Sequence, residues 1–363
     1  MVTALVVLAL QALTPESLAC AADIGIREAR KIVAAVHRGD WPIDSGSCAG
    51  EATQSWALAG VRRVAIAAVR AVGHVPHLEV RCRRRSALDP FVKIALVTGD
   101  GHVVESVRIP LERAGRFSAC VSSQAGCGLG CLFCATGRLG LARNLATWEI
   151  VEQVRVLRAT LEPGQRIHGV VFQGMGEPLA NVDRVIEAVR VMCDPSALAI
   201  DARAITVCTA GLPQGIRRLA REVPKVRLAL SIGSARGAIR RTLMPIEASH
   251  PLEEVLDAVG QHARTTGRAP MWAVTPLAGV SDTDQDARAL AILVRKFEAT
   301  TGIRPRLSVV PYNGIDVEGR DPFARGDPRR FVERLIAHGA RPHLRYSGGA
   351  DVGAACGQLA GHE

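Results

Sequence analysis

Apolar and polar positions divide the chain into three stretches of different rhythm. Between Ile24 and Val36 the apolar residues Ile26, Ala29, Ile32, Val33 and Val36 recur at steps of three and four, the spacing of one buried helix face. The apolar run Val2 to Leu13 reads as a first packed helix ending before Pro15. Residues 1–75 thus predict a small N-terminal helical accessory domain. Over 76–118 the rhythm changes. Val92-Lys93-Ile94-Ala95-Leu96-Val97 and the run Val103 to Ile109 flank Gly99-Asp100-Gly101, which predicts a β-hairpin extension.

From about Ser118 onward strands and helices alternate, giving a third domain over 119–363. Candidate strands are Gly169 to Phe172, Ala204 to Cys208, Val226 to Ser231, Met271 to Thr275, Arg306 to Val310 and Pro342 to Tyr346. Their Val, Ile and Leu content predicts parallel strands buried on both faces. Helix faces fall between them: Val185, Ile186, Val189 and Met192; Leu252, Val255, Leu256 and Val259; Leu290, Leu293, Val294 and Phe297. Repeated β-α units predict an α/β fold around a parallel sheet, open or closed into a partial barrel. Active sites on such sheets gather at the C-terminal strand ends.

Composition narrows the class. The chain has 363 residues, 48% hydrophobic and 22% charged, as a globular protein should. No run of about 18 apolar residues is present, so no membrane-spanning helix is expected. The formal net charge is +10, carried almost wholly by Arg. Arg suits bidentate contact with phosphate, although the same count fits an ordinary solvated surface; Arg81, Arg83, Arg84 and Arg85 are the densest example. Leu18-Ala19-Cys20 faintly resembles a lipoprotein cleavage site, but no Lys or Arg precedes the apolar N-terminal run, so the basic start of a signal peptide is missing. A cytoplasmic location is expected.

The ten cysteines then change the picture, because four of them fall within residues 120–134. Their core is Cys127-Gly-Leu-Gly-Cys131-Leu-Phe-Cys134. A protein-held iron–sulfur cluster normally takes four cysteines; three leave one iron open, and catalysis needs an open position. A zinc site is the alternative, although it would want a fourth Cys or His at its own spacing. One β-α unit later comes Gly174-Met-Gly176-Glu177-Pro178. Its glycines let the backbone approach a ligand, and Glu177 can accept a hydrogen bond from an ammonium group. Cys20, Cys48, Cys82 and Cys193 have no partner motif and read as structural.

Cys120-Val-Ser-Ser-Gln-Ala-Gly-Cys127, the CxxxCxxC loop, Gly-Met-Gly-Glu-Pro and Ala354-Ala-Cys356-Gly-Gln-Leu359 together resemble the RlmN/Cfr family of radical S-adenosylmethionine RNA methyltransferases. The resemblance runs from about Phe91 to Ala360 and implies a partial (βα)6 barrel. It implies a [4Fe–4S] cluster on Cys127, Cys131 and Cys134, two S-adenosylmethionine molecules per turnover, and methylation of adenine C2 or C8 in ribosomal or transfer RNA. Those ring carbons are electron-poor and resist direct transfer from a sulfonium. The family's route is a methyl-cysteine: Cys356 carries the one-carbon unit, and Cys120 frees the product by forming a disulfide with it. Glu105 aligns with the family's proposed base. Gly176, Glu177, Cys208, Ser231, Ile232, Gly233 and Asn313 match its cofactor-binding positions, and a reductant such as flavodoxin or ferredoxin is implied as a partner. Three departures stand out. Cys208 replaces a serine, Gly233 a histidine, and Arg236-Gly237 the usual Asn-Asp. Two alternatives stay open: the same mechanism on another adenine-containing substrate, or a zinc-stabilised RNA-binding module without catalysis.

Overall fold

The computed structural model describes residues 7–42, 56–315 and 320–361; Cys48 and residues 2–6 of the first apolar run lie outside them. One ten-stranded sheet organises the chain. Its strands are β1 (Glu79–Arg85), β2 (Val92–Val97), β3 (Val103–Pro110), β4 (Arg116–Val121), β5 (Arg166–Phe172), β6 (Ile205–Thr209), β7 (Arg227–Ser231), β8 (Met271–Val274), β9 (Arg306–Val309) and β10 (Pro342–Leu344), adjacent in space in the same order as in sequence. β1 to β4 pair antiparallel. From β4 to β10 every pairing is parallel.

A parallel pairing needs a long crossover. Helices Thr147–Arg158, Val182–Cys193, Pro213–Glu222, Leu252–Thr266, Asp284–Thr301 and Pro328–Ala337 supply one for each step. The result is six β-α units and a final strand, the expected α/β arrangement, with β1 and β10 as sheet edges that do not pair with each other. No helix of the described residues is long and apolar enough to cross a membrane.

The expectation of strands buried on both faces holds for β4 and β9, buried continuously after their first residue, and for Leu228 to Leu230 of β7, whereas β6 and β8 alternate. In β8, Trp272 and Val274 are buried while Met271 and Ala273 are half-buried. In β6, Thr206 and Cys208 are half-buried between buried neighbours. One face therefore packs on the helices, with Trp272 edge-on to Phe297 at 5.0 Å between ring centroids. The other face is left for ligands.

The predicted hairpin is β2 and β3, with Val97 opposite Val103 and Gly101 in the left-handed region at φ 86°. Its residues Ile94, Leu96, Val104 and Val107 share one core with Val170, Leu230 and Trp272. The arginine run becomes β1, an edge strand antiparallel to β2, with a bulge between Val80 and Cys82. A charged edge resists pairing with a second chain.

The first predicted helix is corrected. Leu8–Ala9 is a short strand parallel to Gly73–His74, Leu10–Ala12 is a single 3-10 turn, and the helix spans Pro15–Ala22. Proline fits the first helical position because no N–H is needed there, and Thr14 Oγ1 caps the turn by accepting from Ser17 N at 3.3 Å. With Ile26–Arg38 and Arg63–Val72 it encloses a separate core of Leu18, Ile32, Val33, Val36, Trp41, Ile66 and Val69.

Candidate active site

The cysteine loop is built on a two-stranded ribbon, Gln124–Cys127 against Gly140–Asn144. Gly126 has φ 78°, and a Cβ there would lie 2.0 Å from the carbonyl oxygen of Gly140, so only glycine fits. Cys127 ends the first strand, Cys131 sits in the turn, and Cys134 precedes the short helix Ala135–Arg138. That helix presses on the turn: a Cβ on Gly137 would meet the backbone of Cys131 at 2.8 Å. The three thiols share the wall of one cavity, which holds about 1100 Å³ of non-protein space, part of it open to solvent. Burial, reinforced by the Cys134 thiol and Glu177, pushes the Cys127 thiol up to about 11. Burial drives Cys131 and Cys134 upward as well. Bound metal reverses that preference, because a coordinating thiol is deprotonated. Among the described residues no three His, Cys, Asp or Glu side chains surround a single ion. A trio of thiols spread around a cavity wall suits an iron–sulfur cluster better than a zinc ion.

The facing walls come from the C-terminal strand ends. After β5, Gly176 has φ 97°, and a Cβ there would come within 2.5 Å of Gln124 Cβ and 2.8 Å of its backbone nitrogen. Gln124 Oε1 in turn accepts from Glu177 N at 2.8 Å. Glu177 is buried; its carboxylate accepts from Leu179 N at 3.0 Å and Ala210 N at 2.8 Å. Burial raises its pKa against those two bonds. Gly176→Ala is therefore expected to destabilise the fold by about 2–4 kcal/mol, from left-handed strain plus overpacking. It should also displace Glu177 and weaken S-adenosylmethionine binding. Urea unfolding and calorimetric titration would measure the two effects, and wild-type values in both would show that the turn tolerates a side chain.

Cys208 at the end of β6, Ser231 at the end of β7, and Asn313 after β9 line the same cavity, with Gly233 beside them. Gly233, where the family has histidine, has φ 69°, and a Cβ there would stand 2.4 Å from Met244 Sδ. Ile232 does not reach the cavity. Its side chain is fully buried, and its carbonyl accepts from Arg240 Nε at 3.0 Å. Arg240 also donates to the carbonyl of Ala210 at 2.8 Å and pairs with Glu247, so one buried guanidinium braces the loops after β6 and β7. Nothing in the local sequence marked it.

The C-terminal segment closes the site. Cys356 is exposed into the cavity, and Gln173 Nε2 donates to its sulfur at 2.9 Å. Asn313 Nδ2 donates to the Cys356 carbonyl at 3.1 Å, and Ala135 N, next to Cys134, donates to the Gly357 carbonyl at 2.8 Å. Gln173 is a site residue that sequence reasoning missed; its only signal was its place directly after a strand. Cys120, on β4, is buried and lines an adjoining cavity together with Gln173 and Cys356. Burial pushes Cys120 up to about 12, and the enclosing cavity walls, which hold bulk water off the sulfur, push Cys356 up to about 11. Both are free thiols. Cys20 is exposed, whereas Cys193 packs partly buried against the main core.

Glu105 is placed differently from the other candidates. It is 1% exposed and lines neither cavity. One carboxylate oxygen pairs with Lys93 Nζ at 3.2 Å and the other accepts from Ala360 N at 2.9 Å. It is thus a buried anchor for the C-terminal segment. To take a proton from a bound ring it would first have to be released from Ala360.

Comparison with known proteins agrees with this geometry. Residues 121–277 match the radical SAM superfamily model. A probable RNA methyltransferase of Sorangium cellulosum is 57% identical, over 95% of this chain and 90% of its own length. A probable dual-specificity RNA methyltransferase RlmN of Moorella thermoacetica is 42% identical, over 79% of this chain and 81% of its own. The crystal structure of a radical SAM methyltransferase from Sphaerobacter thermophilus superposes with a TM-score of 0.84 at 31% identity, covering 98% of this chain and all of that one.

Proposed function

The chain belongs to the RlmN/Cfr-like family of radical S-adenosylmethionine enzymes, and on that premise we propose that it is an RNA methyltransferase acting on an adenine carbon, C2 or C8, of ribosomal or transfer RNA. The observation that carries this reading is Cys356 held by Gln173 at the cavity that also takes the three loop cysteines, with Cys120 beyond Gln173 in the adjoining one. An enzyme that needed only the cluster would have no use for two further thiols there.

The family implies a [4Fe–4S] cluster and S-adenosylmethionine, which when bound supply one-electron chemistry and the methyl group. Cys127, Cys131 and Cys134 hold the cluster. Glu177 and the open backbone at Gly176 receive the amino group of the cofactor, while Cys208, Ser231, Gly233 and Asn313 border the rest of it. Ile232 positions these residues from behind, its backbone bonded to Ala273 and Arg240. Cys356 carries the one-carbon unit as a methyl thioether, which means two cofactor molecules per turnover. Cys120 resolves the product once that carbon is bonded to the adenine: its thiolate bonds to the Cys356 sulfur, and the bond from that sulfur to the carbon breaks. The electron pair stays with the carbon, which takes up a proton to become the methyl group, and a two-electron thiol or flavodoxin-type donor later reduces the disulfide. Glu105 holds the tail and serves as a base only if that tail moves. A flavodoxin or ferredoxin is the class of electron donor required.

Mass spectrometry of nucleosides tests the reading. Ribosomal and transfer RNA from cells lacking this protein should lose one C-methyladenosine that wild-type cells contain. An identical methyladenosine content in both RNA pools would exclude RNA adenine as the substrate.

A further inference from the structure

The face of the sheet turned away from the helices has a feature that cofactor binding does not use. Strand alternation puts Arg227, Arg306, His343 and Arg345 on that face, interleaved with core residues such as Leu228, Leu307 and Leu344. All four are exposed. Together they line an open cavity of about 890 Å³ that no carboxylate of the described residues borders. Met271 lies beside both Arg306 and Ala229 in the ladder, so Arg227 and Arg306 stand only two strands apart. Strands lie about 4.8 Å apart, so two long guanidinium side chains converge across that gap.

No carboxylate among the described residues is paired with them. None of the four makes an ion pair there; the Arg345 side chain donates only to Met271 Sδ, at 3.5 Å. Arg227 is crowded by Arg306 and Arg268, and Asp201, which offsets this, is bound to Arg203 at 2.7 Å. Gathering like charge on an open face costs stability unless an anion meets it. The place also matters. Gln173 and Cys208 border this cavity and the catalytic one alike, and Arg345 lines the adjoining cavity with Cys356, so the basic face adjoins the site.

We propose that this face, from Arg227 and Arg306 to Arg345, is the track that holds the phosphodiester backbone of single-stranded RNA flanking the target base. The inference rests on the RNA methyltransferase reading. An extended polyanion fits better than a small anion, because the cations are strung along strand ends instead of closing on one point. The arginines of β1 are not part of the track, since they stand at the opposite edge of the ten-stranded sheet.

The test is equilibrium binding of a fluorescent single-stranded RNA to anaerobic, cluster-loaded protein over a range of salt. The Arg227→Ala/Arg306→Ala double variant should bind at least tenfold more weakly at low salt. Its slope of log affinity against log salt should shrink by about 1.4, or 0.7 for each phosphate no longer neutralised. Arg227→Lys/Arg306→Lys should keep most of that slope. Iron content and RNA-independent cleavage of S-adenosylmethionine should match wild type, which separates lost binding from lost fold. Unchanged affinity and slope in the alanine variant, with wild type binding RNA normally, would overturn the track alone. So would displacement of the RNA by inorganic phosphate at concentrations too low to screen charge, because that marks a small-anion pocket. Wild-type protein that binds no RNA would instead overturn the functional reading, and the track with it.

Discussion

Cys127→Ala is expected to abolish methyl transfer completely and to leave the protein folded but without bound iron. Three thiols are the fewest that can fix one face of a four-iron cluster, and each marks a different wall of the loop: strand end, turn and helix start. With one removed, two sulfurs must hold a site that normally uses four ligands. The side chain itself contributes little to packing, since Cys127 is only half-buried and its partners are backbone groups. The ribbon beneath it is set by Gly126 against Gly140. Loss of iron should therefore come without loss of fold. After anaerobic reconstitution, wild type should hold about four irons per chain and the variant close to none, with thermal midpoints within a few degrees. Cys20→Ala, at an exposed position on the helix Pro15–Ala22, is the control and should retain its iron. Full iron in Cys127→Ala would remove this residue from the ligand set.

How far such arguments reach from sequence depends on the range of the interaction. The β-α units were legible because each strand and helix repeats its own apolar period, and because glycine punctuates the hairpin before Val103. β1 was not legible. In Glu79 to Arg85 only Val80 and Cys82 interrupt a charged run, too short an alternation to mark a strand, and its strand conformation comes from hydrogen bonds to β2. Pro15 was read as a stop when it is a start, since proline is compatible with both and the choice rests on the cap from Thr14. The Val, Ile and Leu content of the strands concealed an open face: in β7 and β9 the arginine precedes an apolar run, and only the paired sheet reveals which residues face outward. At the site, the short-range motifs around Cys127 and Gly176 declared themselves. The meeting of Cys120 with Cys356 spans most of the core domain and was available only through resemblance. Gln173, Arg240 and the burial of Glu105 were visible in neither way, because each acts through a partner distant in sequence.

Cys356→Ala should eliminate methyl transfer to RNA, by more than a thousandfold, while iron content and slow cleavage of S-adenosylmethionine persist. The separation is expected because the segment is seated by its backbone and not by its sulfur. Asn313 holds the Cys356 carbonyl, Ala135 N the Gly357 carbonyl, Thr136 Oγ1 the Leu359 carbonyl at 2.5 Å, and Glu105 the Ala360 amide. None of these four bonds involves the thiol. Removing it leaves only the Gln173 amide without its acceptor, at a cavity that water reaches, so the net loss of stability is about 1 kcal/mol. Cys356→Ser sharpens the result. A hydroxyl can still accept from Gln173, yet it is a far weaker nucleophile than sulfur. If the residue mattered only as the hydrogen-bond partner of Gln173, serine would restore much of the activity. If the sulfur itself carries the one-carbon unit, serine should be as inactive as alanine. Mass spectrometry of the intact wild-type protein after incubation with cofactor should find one added methyl group on the peptide containing Cys356, absent in both variants. Normal RNA methylation by either variant would show that the one-carbon unit never passes through this residue.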